Sequence, residues 1–146
     1  VLYSPMPAKN RKITSSPDKS VVMIVDDMQS MRMITRTSLK QMGFKKFVEC
    51  PNGHEALKRL RLMNIDVVIC DWDMPEMDGL ELLRQVRNEE RLERTVFIML
   101  TAHSETELIH QSITAGVDGY MVKPYQPAAL CKRVNSLLAS PIELND

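Results

Sequence analysis

The sequence predicts an α/β fold, a doubly wound open sheet of five parallel strands. Short apolar runs alternate with segments whose apolar residues recur every three or four positions, and this strand–helix order occurs five times. The first run, residues 21–25, is continuous and rich in β-branched residues, which is typical of a strand buried on both faces. Because five units are too few for an eight-fold barrel, an open sheet is expected.

Apolar spacing and glycine define the first two units. The strand at residues 21–25 is followed by side chains at helical spacing, namely Met28, Met31, Thr35, Leu39 and Met42. Gly43 then supplies a helix stop. A second strand is expected at residues 46–50, before a Pro–Asn–Gly turn, and a second helix at residues 54–63.

The last three units repeat this pattern. Strands are expected at residues 67–70, 96–100 and, less regularly, 117–122. Each is followed by a helix with one apolar stripe, and the stripes comprise Leu80, Leu83 and Val86, then Leu108, Ile109 and Ile113, then Leu130, Val134, Leu137 and Leu138. The alternation predicts a parallel sheet, because each strand must return to the same edge through a helical crossover.

Composition bounds the class of protein. With 146 residues, 44% of them apolar, the chain can bury a core without disulfides or a structural metal. Its three cysteines are widely spaced, which predicts reduced and packed thiols. The longest apolar runs, five residues each, fall far short of the roughly 18 needed to cross a bilayer. No secretory signal is visible, so a cytoplasmic protein without a membrane partner is expected.

Charge is divided unevenly along the chain. Residues 1–20 hold four basic residues and one acidic residue, a net charge of +3, which leaves residues 21–146 with 15 basic and 18 acidic residues, a net charge of −3. An acidic body without a basic stripe argues against direct binding of nucleic acid. We expect a flexible N-terminal tail over residues 1–19, one domain over residues 20–140, and a C-terminal tail or linker stub over residues 141–146.

Polar residues stand at the carboxyl ends of four predicted strands. Asp26 and Asp27 follow the first strand and Asp71 the third, whereas Thr101 follows the fourth and Lys123 the fifth. In a parallel sheet these ends meet at one edge, where open α/β folds bind their ligands. Four sites that are far apart in sequence are therefore expected to become neighbours.

The types of these residues predict chemistry with a metal and a phosphoryl group. Three crowded carboxylates repel one another until a cation neutralises them, and hard oxygen ligands favour Mg²⁺ or Mn²⁺ over zinc. Mg²⁺ completes its shell with phosphate oxygen, which Thr101 and Lys123 could also contact. Asp71, a single carboxylate near the middle of the sheet, is the best candidate for a nucleophile that forms an aspartyl phosphate. Asp26 and Asp27 are better interpreted as metal ligands.

Each position also has a purely structural explanation. Asp27 or Thr101 could cap the helix that follows it, and a Lys–Pro pair is usually only a turn. At any single position the structural explanation is at least as strong as a functional role. That all four strand ends carry such residues for separate structural reasons is much less plausible than one shared site.

The segment at residues 71–79, DWDMPEMDG, is joined by an acidic pair at Asp26 and Asp27, by Thr101, by Tyr120 and by Lys123 with its proline. The spacings of 30 residues from Asp71 to Thr101 and of 22 from Thr101 to Lys123 complete the pattern. In these features the chain resembles the receiver domains of bacterial two-component response regulators, above all the single-domain chemotaxis members. The resemblance covers about residues 20–140.

The resemblance implies a flavodoxin-like receiver fold with strand order 2-1-3-4-5. It also implies a phosphorylation switch that catalyses its own phosphorylation and dephosphorylation. A sensor histidine kinase or a histidine phosphotransfer protein would supply the phosphoryl group to Asp71. Either a downstream protein target or an effector domain outside these 146 residues would receive the output.

The same resemblance assigns further roles. Mg²⁺ would be held by Asp26, Asp27, Asp71 and the backbone carbonyl of Asp73, and the Lys123–Pro124 bond would be cis. Thr101 would move toward the phosphoryl group and Tyr120 would follow it, which changes the surface formed by the fourth helix, the fifth strand and the fifth helix.

Two positions depart from the chemotaxis members. Asp73 replaces an asparagine two residues after Asp71, and His103 replaces an acid two residues after Thr101. In the family these positions face the phosphoryl group and set its lifetime. A change of charge there is therefore expected to change the rate of hydrolysis, unless both residues are merely exposed and polar.

Three other functions fit parts of the sequence. Asp71-Trp72-Asp73 superficially resembles the DxD opening of haloacid dehalogenase-like phosphohydrolases, in which, however, the acidic pair comes last rather than first. An unphosphorylated receiver-like binding module is a second alternative, although such modules usually lose an acidic or lysine position. A flavin or nucleotide carrier is disfavoured because no glycine-rich loop follows the first strand.

Overall fold

The computed structural model describes residues 11–144 and contains the predicted parallel sheet. Its strands are β1 (Val21–Val25), β2 (Lys46–Cys50), β3 (Val67–Asp71), β4 (Val96–Thr101) and β5 (Gly119–Val122). Their order across the sheet is β2-β1-β3-β4-β5, and every neighbouring pair is parallel. The predicted strand order 2-1-3-4-5 is therefore confirmed.

Within residues 11–144, four helices connect successive strands and a fifth follows β5. They are α1 (Gln29–Lys40), α2 (Gly53–Leu62), α3 (Gly79–Arg87), α4 (Thr106–Thr114) and α5 (Pro127–Ser136). One 3₁₀ turn, Glu90–Leu92, lies between α3 and β4 and was not predicted, because three residues are too short to show a period. Among residues 11–144, no helix combines the length and the apolar character that crossing a bilayer requires.

The core lies on both faces of the sheet, as the continuous apolar runs predict. Successive side chains of a strand point to opposite faces, so Met23 and Val25 of β1 belong to the cluster that includes α2 and α3. Val22 and Ile24 belong to the opposite cluster, which α1 and α5 cover. Burial on both faces explains why these strands are uniformly apolar instead of alternating.

The three cysteines are free thiols, as expected from their spacing. Cys50 and Cys70 are buried, whereas Cys131 is half-buried. Burial raises the pKa of the Cys50 thiol to about 11 and raises that of Cys70 as well, so both stay protonated at neutral pH.

The first described residues of the predicted N-terminal tail pack on the domain. Residues 1–10 lie outside the described residues. In residues 11–20, here called the N-terminal strap, Arg11, Lys12 and Ile13 contact the last strand–helix unit. The Ile13 side chain is 1% exposed, and its backbone N–H donates to Leu137 O at 2.7 Å while its carbonyl accepts from Ala139 N–H at 2.9 Å. A single apolar residue has no period, so sequence pattern could not predict this contact.

The predicted C-terminal tail also begins against the domain. The backbone N–H of Ile142 donates to Asn135 Oδ1 at 2.8 Å, and Asn135 Nδ2 donates to Ile142 O at 2.7 Å. Residues 145 and 146, the end of the predicted tail, lie outside the described part of the chain. These two hydrogen bonds hold the chain near the end of α5.

A buried ionic cluster lies at the amino-terminal end of β5. The Asp118 carboxylate accepts from Arg11 Nη1 at 2.7 Å and from Arg87 Nη2 at 2.8 Å, and all three side chains are at most 6% exposed. It also accepts from the Phe97 N–H at 2.8 Å. Arg87 donates further to the carbonyls of Thr95 and Gly116. Asp118 therefore joins the strap, α3, β4 and β5.

Replacing Asp118 by asparagine is expected to lower the free energy of unfolding by about 3–5 kcal/mol, because the change removes the negative charge that faces two buried guanidinium groups. Urea denaturation followed by circular dichroism measures the loss. The matched control is Glu89→Gln, which breaks the exposed pair with Arg61 and should cost less than about 1 kcal/mol. Equal losses for the two variants would contradict this account.

Candidate functional site

The parallel sheet brings charged residues from three strand ends together. Asp26 follows β1 directly, Asp71 is the last residue of β3, and Lys123 follows β5. Lys123 Nζ donates to Asp71 Oδ1 at 3.2 Å and lies 4.0 Å from Asp26 Oδ2. The predicted convergence of the strand ends is therefore present for these acids and this amine.

Three carboxylates form a group that could hold a metal ion. Asp26, Asp27 and Asp71 each place one carboxylate oxygen within 4.8 Å of the others. Asp26 and Asp71 are 7% and 9% exposed, whereas Asp27 is open to solvent. Oxygen ligands that are partly buried but reachable from one side suit a hard cation that keeps several waters, as Mg²⁺ does.

The electrostatics of this group favour an added cation. Burial raises the pKa of Asp71 above its usual value, and the Lys123 ammonium partly opposes the effect. Burial also raises the pKa of Asp26, which the hydrogen bond from the Met28 N–H opposes and the Asp71 charge reinforces. Ionised carboxylates are thus costly here without positive charge beside them, and a bound divalent cation would remove that cost.

The structure rules out helix capping for the polar strand-end residues. The residue before α1 is Met28, and no side chain caps that helix. Asp26 Oδ1 instead accepts from the Met28 N–H at 2.9 Å, two residues along the chain. The residue before α4 is Glu105, again without a side-chain cap. Asp27 and Thr101 therefore do not cap the helices that follow them.

Thr101 lies beside the charged group at the end of β4. It is fully buried and pairs in register with Val122 of β5. Its carbonyl accepts from the Lys123 N–H at 2.7 Å, and its hydroxyl oxygen accepts from the His103 N–H at 3.0 Å. The Lys123–Pro124 peptide bond is cis, as the resemblance implies. The sheet thus fixes the predicted hydroxyl and lysine positions next to each other.

An aromatic cluster covers the loops next to Thr101. The Trp72 ring lies edge-on to the His103 ring at 5.5 Å and to the Tyr120 ring at 6.3 Å between centroids. The Tyr120 hydroxyl donates to the His103 carbonyl at 2.8 Å. Tyr120, the expected switch residue, therefore contacts both the loop after β3 and the loop between β4 and α4.

Asp73 and His103, which sequence reasoning singled out separately, contact each other. His103 Nε2 lies 2.9 Å from Asp73 Oδ1, although these residues are 30 positions apart. This hydrogen bond raises the pKa of His103, and the nearby Asp73 and Glu105 charges add to the effect. The pair joins the loop after β3 to the loop after β4, with the His103 side chain 32% and the Asp73 side chain 60% exposed.

Glycine at position 79 permits the end of β3 and the start of α3 to approach closely. The Gly79 N–H donates to Trp72 O at 2.8 Å. A Cβ atom at this position would lie 2.6 Å from Asp71 O and 2.9 Å from Trp72 Cα, both of them backbone atoms. No side chain fits there without moving the backbone that carries Asp71.

Arg32 is a member of the site that sequence reasoning missed. Its Nη1 donates to the Asp26 carbonyl at 2.5 Å, and its Nε donates to Glu49 Oε1 at 3.2 Å. The guanidinium group thus supports the backbone of the acidic pair from α1. An arginine in the first turn of a predicted helix carries no sequence signal for this contact, because most such side chains face solvent.

Comparison with known proteins agrees with this geometry. Residues 22–135 match the model of the response regulator receiver domain family. The chain is 38% identical over 116 residues to the chemotaxis protein CheY of Pseudomonas aeruginosa, covering 80% of this chain and 94% of that one. It is 37% identical over 116 residues to the chemotaxis protein CheY-3 of Vibrio cholerae, covering 80% and 89% of the two chains.

Solved structures give the same result. The chemotaxis response regulator CheY4 of Vibrio cholerae superposes with a TM-score of 0.75 at 31% identity, over 82% of this chain and 98% of that one. The receiver domain of the Francisella response regulator 1452 superposes with a TM-score of 0.73 at 31% identity, over 82% and 96% of the two chains.

Replacing Asp26 by asparagine is expected to weaken Mg²⁺ binding by at least about tenfold, because one of the three negative charges facing the cation is lost. A Mg²⁺ titration followed by the emission of Trp72, the single tryptophan, measures the affinity. The control is Glu90→Gln, the same change of charge in the exposed turn before β4, at the opposite edge of the sheet. Equal affinity of the Asp26 variant and wild type would remove Asp26 from the metal site.

Proposed function

The chain belongs to the response regulator receiver domain family, and we propose that it is a phosphorylation switch in which Asp71 accepts a phosphoryl group. The donor is a phosphohistidine of a sensor histidine kinase or a histidine phosphotransfer protein. The accepted group changes the surface formed by α4, β5 and α5, which then binds a different partner.

The contact between Asp71 and Lys123 carries the proposal. Asp71 is a buried carboxylate with an ammonium group at 3.2 Å and two more carboxylates within 4.8 Å. This is a poor structural ion pair, because the two extra negative charges disfavour ionisation of Asp71. The same arrangement suits a site at which a dianionic phosphoryl group and a divalent cation arrive together.

The transfer is a displacement at phosphorus. An oxygen of Asp71 attacks the phosphorus atom, the bond from phosphorus to the partner's imidazole nitrogen breaks, and the imidazole leaves with its electron pair and takes up a proton. Lys123 and the Thr101 hydroxyl offer positive charge and a hydrogen bond to the phosphoryl oxygens. Asp26, Asp27, Asp71 and the Asp73 carbonyl would hold Mg²⁺, which when bound would neutralise the charge that collects on those oxygens.

Reversal of the signal uses the same atoms. Water attacks phosphorus, the bond from phosphorus to the Asp71 oxygen breaks, and inorganic phosphate is released with the carboxylate restored. The chain therefore contributes to both its own phosphorylation and its own dephosphorylation, while the signalling partner determines when the donor is present.

The output depends on hydrogen bonds that connect Thr101 to the last strand. The Thr101 hydroxyl accepts from the His103 N–H, and the His103 carbonyl accepts from the Tyr120 hydroxyl. If Thr101 turns toward a phosphoryl group, its hydroxyl leaves the His103 N–H. The His103 backbone, whose carbonyl accepts from Tyr120, then loses one of its two anchors, and Tyr120 moves once that second bond breaks. This is a two-state equilibrium that one local charge biases.

The relatives support a place in chemotaxis signalling. Two proteins with more than a third of their aligned residues identical to this chain are chemotaxis proteins. The downstream target, in this proposal, is a protein that recognises the α4, β5 and α5 surface, or an effector domain joined to the receiver.

Replacing Asp71 by asparagine is expected to abolish phosphorylation by a small phosphodonor such as acetyl phosphate in the presence of Mg²⁺. The amide cannot act as the attacking oxygen nucleophile, so no aspartyl phosphate forms. Intact-protein mass spectrometry after incubation with the donor detects the added phosphoryl group.

The matched control for that experiment is Asp78→Asn, the same chemical change in the same loop. Asp78 caps α3 by accepting from the Glu81 N–H at 2.8 Å, and asparagine caps equally well, so this variant should be phosphorylated like wild type. Absence of phosphorylation in wild type, with a kinase partner as well as with the small donor, would favour an unphosphorylated binding module. Sustained turnover of an aryl phosphate would favour a phosphohydrolase.

Replacing Asp73 by asparagine is expected to slow hydrolysis of the aspartyl phosphate by at least about threefold. The Asp73 carboxylate, held by His103, can accept a hydrogen bond from an attacking water, and an amide is a far weaker base. Loss of the phosphorylated species over time, after removal of the donor, measures the rate. The control is Glu105→Gln, which changes the other acid beside the His103 ring, 3.7 Å from Nδ1; identical decay for wild type and the Asp73 variant would refute the role.

A further inference from the structure

The N-terminal strap, residues 11–20, holds both ends of the last strand–helix unit. It lies outside residues 22–135, which the family model matches. Its two buried contacts adjoin β5 and α5, the elements that belong to the proposed output surface: one is with Asp118 just before β5, and the other is with Leu137–Ala139 just after α5. The strap is therefore placed to influence the switch.

The first contact is at the entrance to β5. Arg11 Nη1 donates to Asp118 Oδ1 at 2.7 Å, with side-chain exposures of 6% and 1%. Arg11 Nε donates to the Glu93 carbonyl at 2.7 Å. Asp118 directly precedes β5, and Tyr120 lies two residues further along the same strand. Arg11 thus fixes the start of the strand that carries the proposed switch residue.

The second contact is at the end of α5. The Ile13 backbone forms a parallel bridge with Leu138, with hydrogen bonds of 2.7 and 2.9 Å to Leu137 O and from Ala139 N–H. The Ile13 side chain is buried in the core cluster that includes Leu130 and Val134 of α5. Ile13 thus fixes the carboxyl end of α5, the helix that follows Lys123 in the chain.

These two contacts make β5 and α5 resist displacement. Displacement of β5 or α5 by roughly an ångström would take these contacts, now 2.7–2.9 Å long, beyond the range of about 2.7–3.2 Å in which such hydrogen bonds form. Because the groups are buried, no water would replace the lost partners. In this structure Tyr120 donates to the His103 carbonyl. The strap contacts form with β5 and α5 in this arrangement, so they stabilise it over any arrangement in which β5 or α5 is displaced.

We propose that the N-terminal strap is a clamp that opposes the switch, so that docking of the strap and occupancy of the phosphoryl site at Asp71 weaken each other. The inference rests on the proposed function. Because coupling between two sites is reciprocal, the factor by which a docked strap lowers affinity at Asp71 is the factor by which occupancy at Asp71 loosens the strap.

The test compares binding of beryllium fluoride, a phosphoryl mimic, in the presence of saturating Mg²⁺ and with Trp72 emission as readout. Arg11→Gln and Ile13→Ala are expected to raise the apparent affinity by at least about fivefold, the lower end of typical coupling. The control Lys19→Gln removes the same charge as Arg11→Gln from an exposed strap residue and is expected to bind within about twofold of wild type.

A second measurement uses wild type alone and does not depend on the folding of any variant. Hydrogen exchange at the Ile13 and Ala139 amides, the two donors of the bridge, is expected to become faster when Mg²⁺ and beryllium fluoride are added. Under the proposal the acceleration matches the fold-change in affinity that strap variants produce.

The outcomes separate the clamp from the switch. If the variants unfold at lower urea concentration but bind beryllium fluoride as wild type does, and bridge exchange does not respond to it, the strap is only structural and the clamp is refuted. Weaker binding in the variants refutes it also, since the sign is reversed. If wild type binds no beryllium fluoride, the proposed switch fails and the clamp fails with it.

Discussion

Repulsion among the Asp26, Asp27 and Asp71 carboxylates is the constraint on which the candidate site depends. Their oxygen atoms lie within 4.8 Å of one another, and burial of two of them makes ionisation costly, as the raised pKa values of Asp26 and Asp71 indicate. The sheet overcomes this repulsion because β1 and β3 are neighbours held by backbone hydrogen bonds. The energy of folding thus maintains a cluster of negative charge next to Lys123, the arrangement on which the proposed cation and phosphoryl sites depend.

The site has a rigid half and an adjustable half. Asp26 and Asp71 are attached to central strands, and Gly79 lets α3 pack directly on the backbone of Asp71. Around Thr101, His103 and Tyr120 the arrangement depends instead on two hydrogen bonds to the His103 backbone, one with Thr101 of β4 and one with Tyr120 of β5. A switch needs both properties, because a charge that arrives at a fixed position must alter contacts that are easily exchanged.

The opposite edge of the sheet is stabilised by a different charge cluster. Asp118 is buried between Arg11 and Arg87, so its negative charge is balanced within the protein and needs no added ion. The two carboxylate sites differ in this balance: one has two guanidinium groups for one acid, whereas the other has one ammonium group close to two acids. Burial raises the pKa of Asp118 as it does those of Asp26 and Asp71, so what distinguishes the two sites is the excess of negative charge at the second.

Sequence reasoning predicted the fold and the acidic site well, and failed where contacts depend on single side chains. The strands were predicted from continuous apolar runs, and the strand-end residues followed from the parallel sheet. The pairing of Asp73 with His103 was not predicted, since two loops of irregular backbone meet there. The packing of Ile13 was missed because one apolar residue among polar neighbours looks like a solvated tail.

By itself the sequence determined the order of the elements, the burial of the sheet on both faces and the identity of the charged group at each strand end. All three depend on the period of apolar residues along the chain, which is a local property. Only the tertiary structure decided which partner each polar group takes, as with His103 and Asp73, 30 residues apart, or Arg11 and Asp118, 107 residues apart. Such pairings depend on where the folded chain places loops and side chains that are far apart in sequence, and no local pattern encodes those positions.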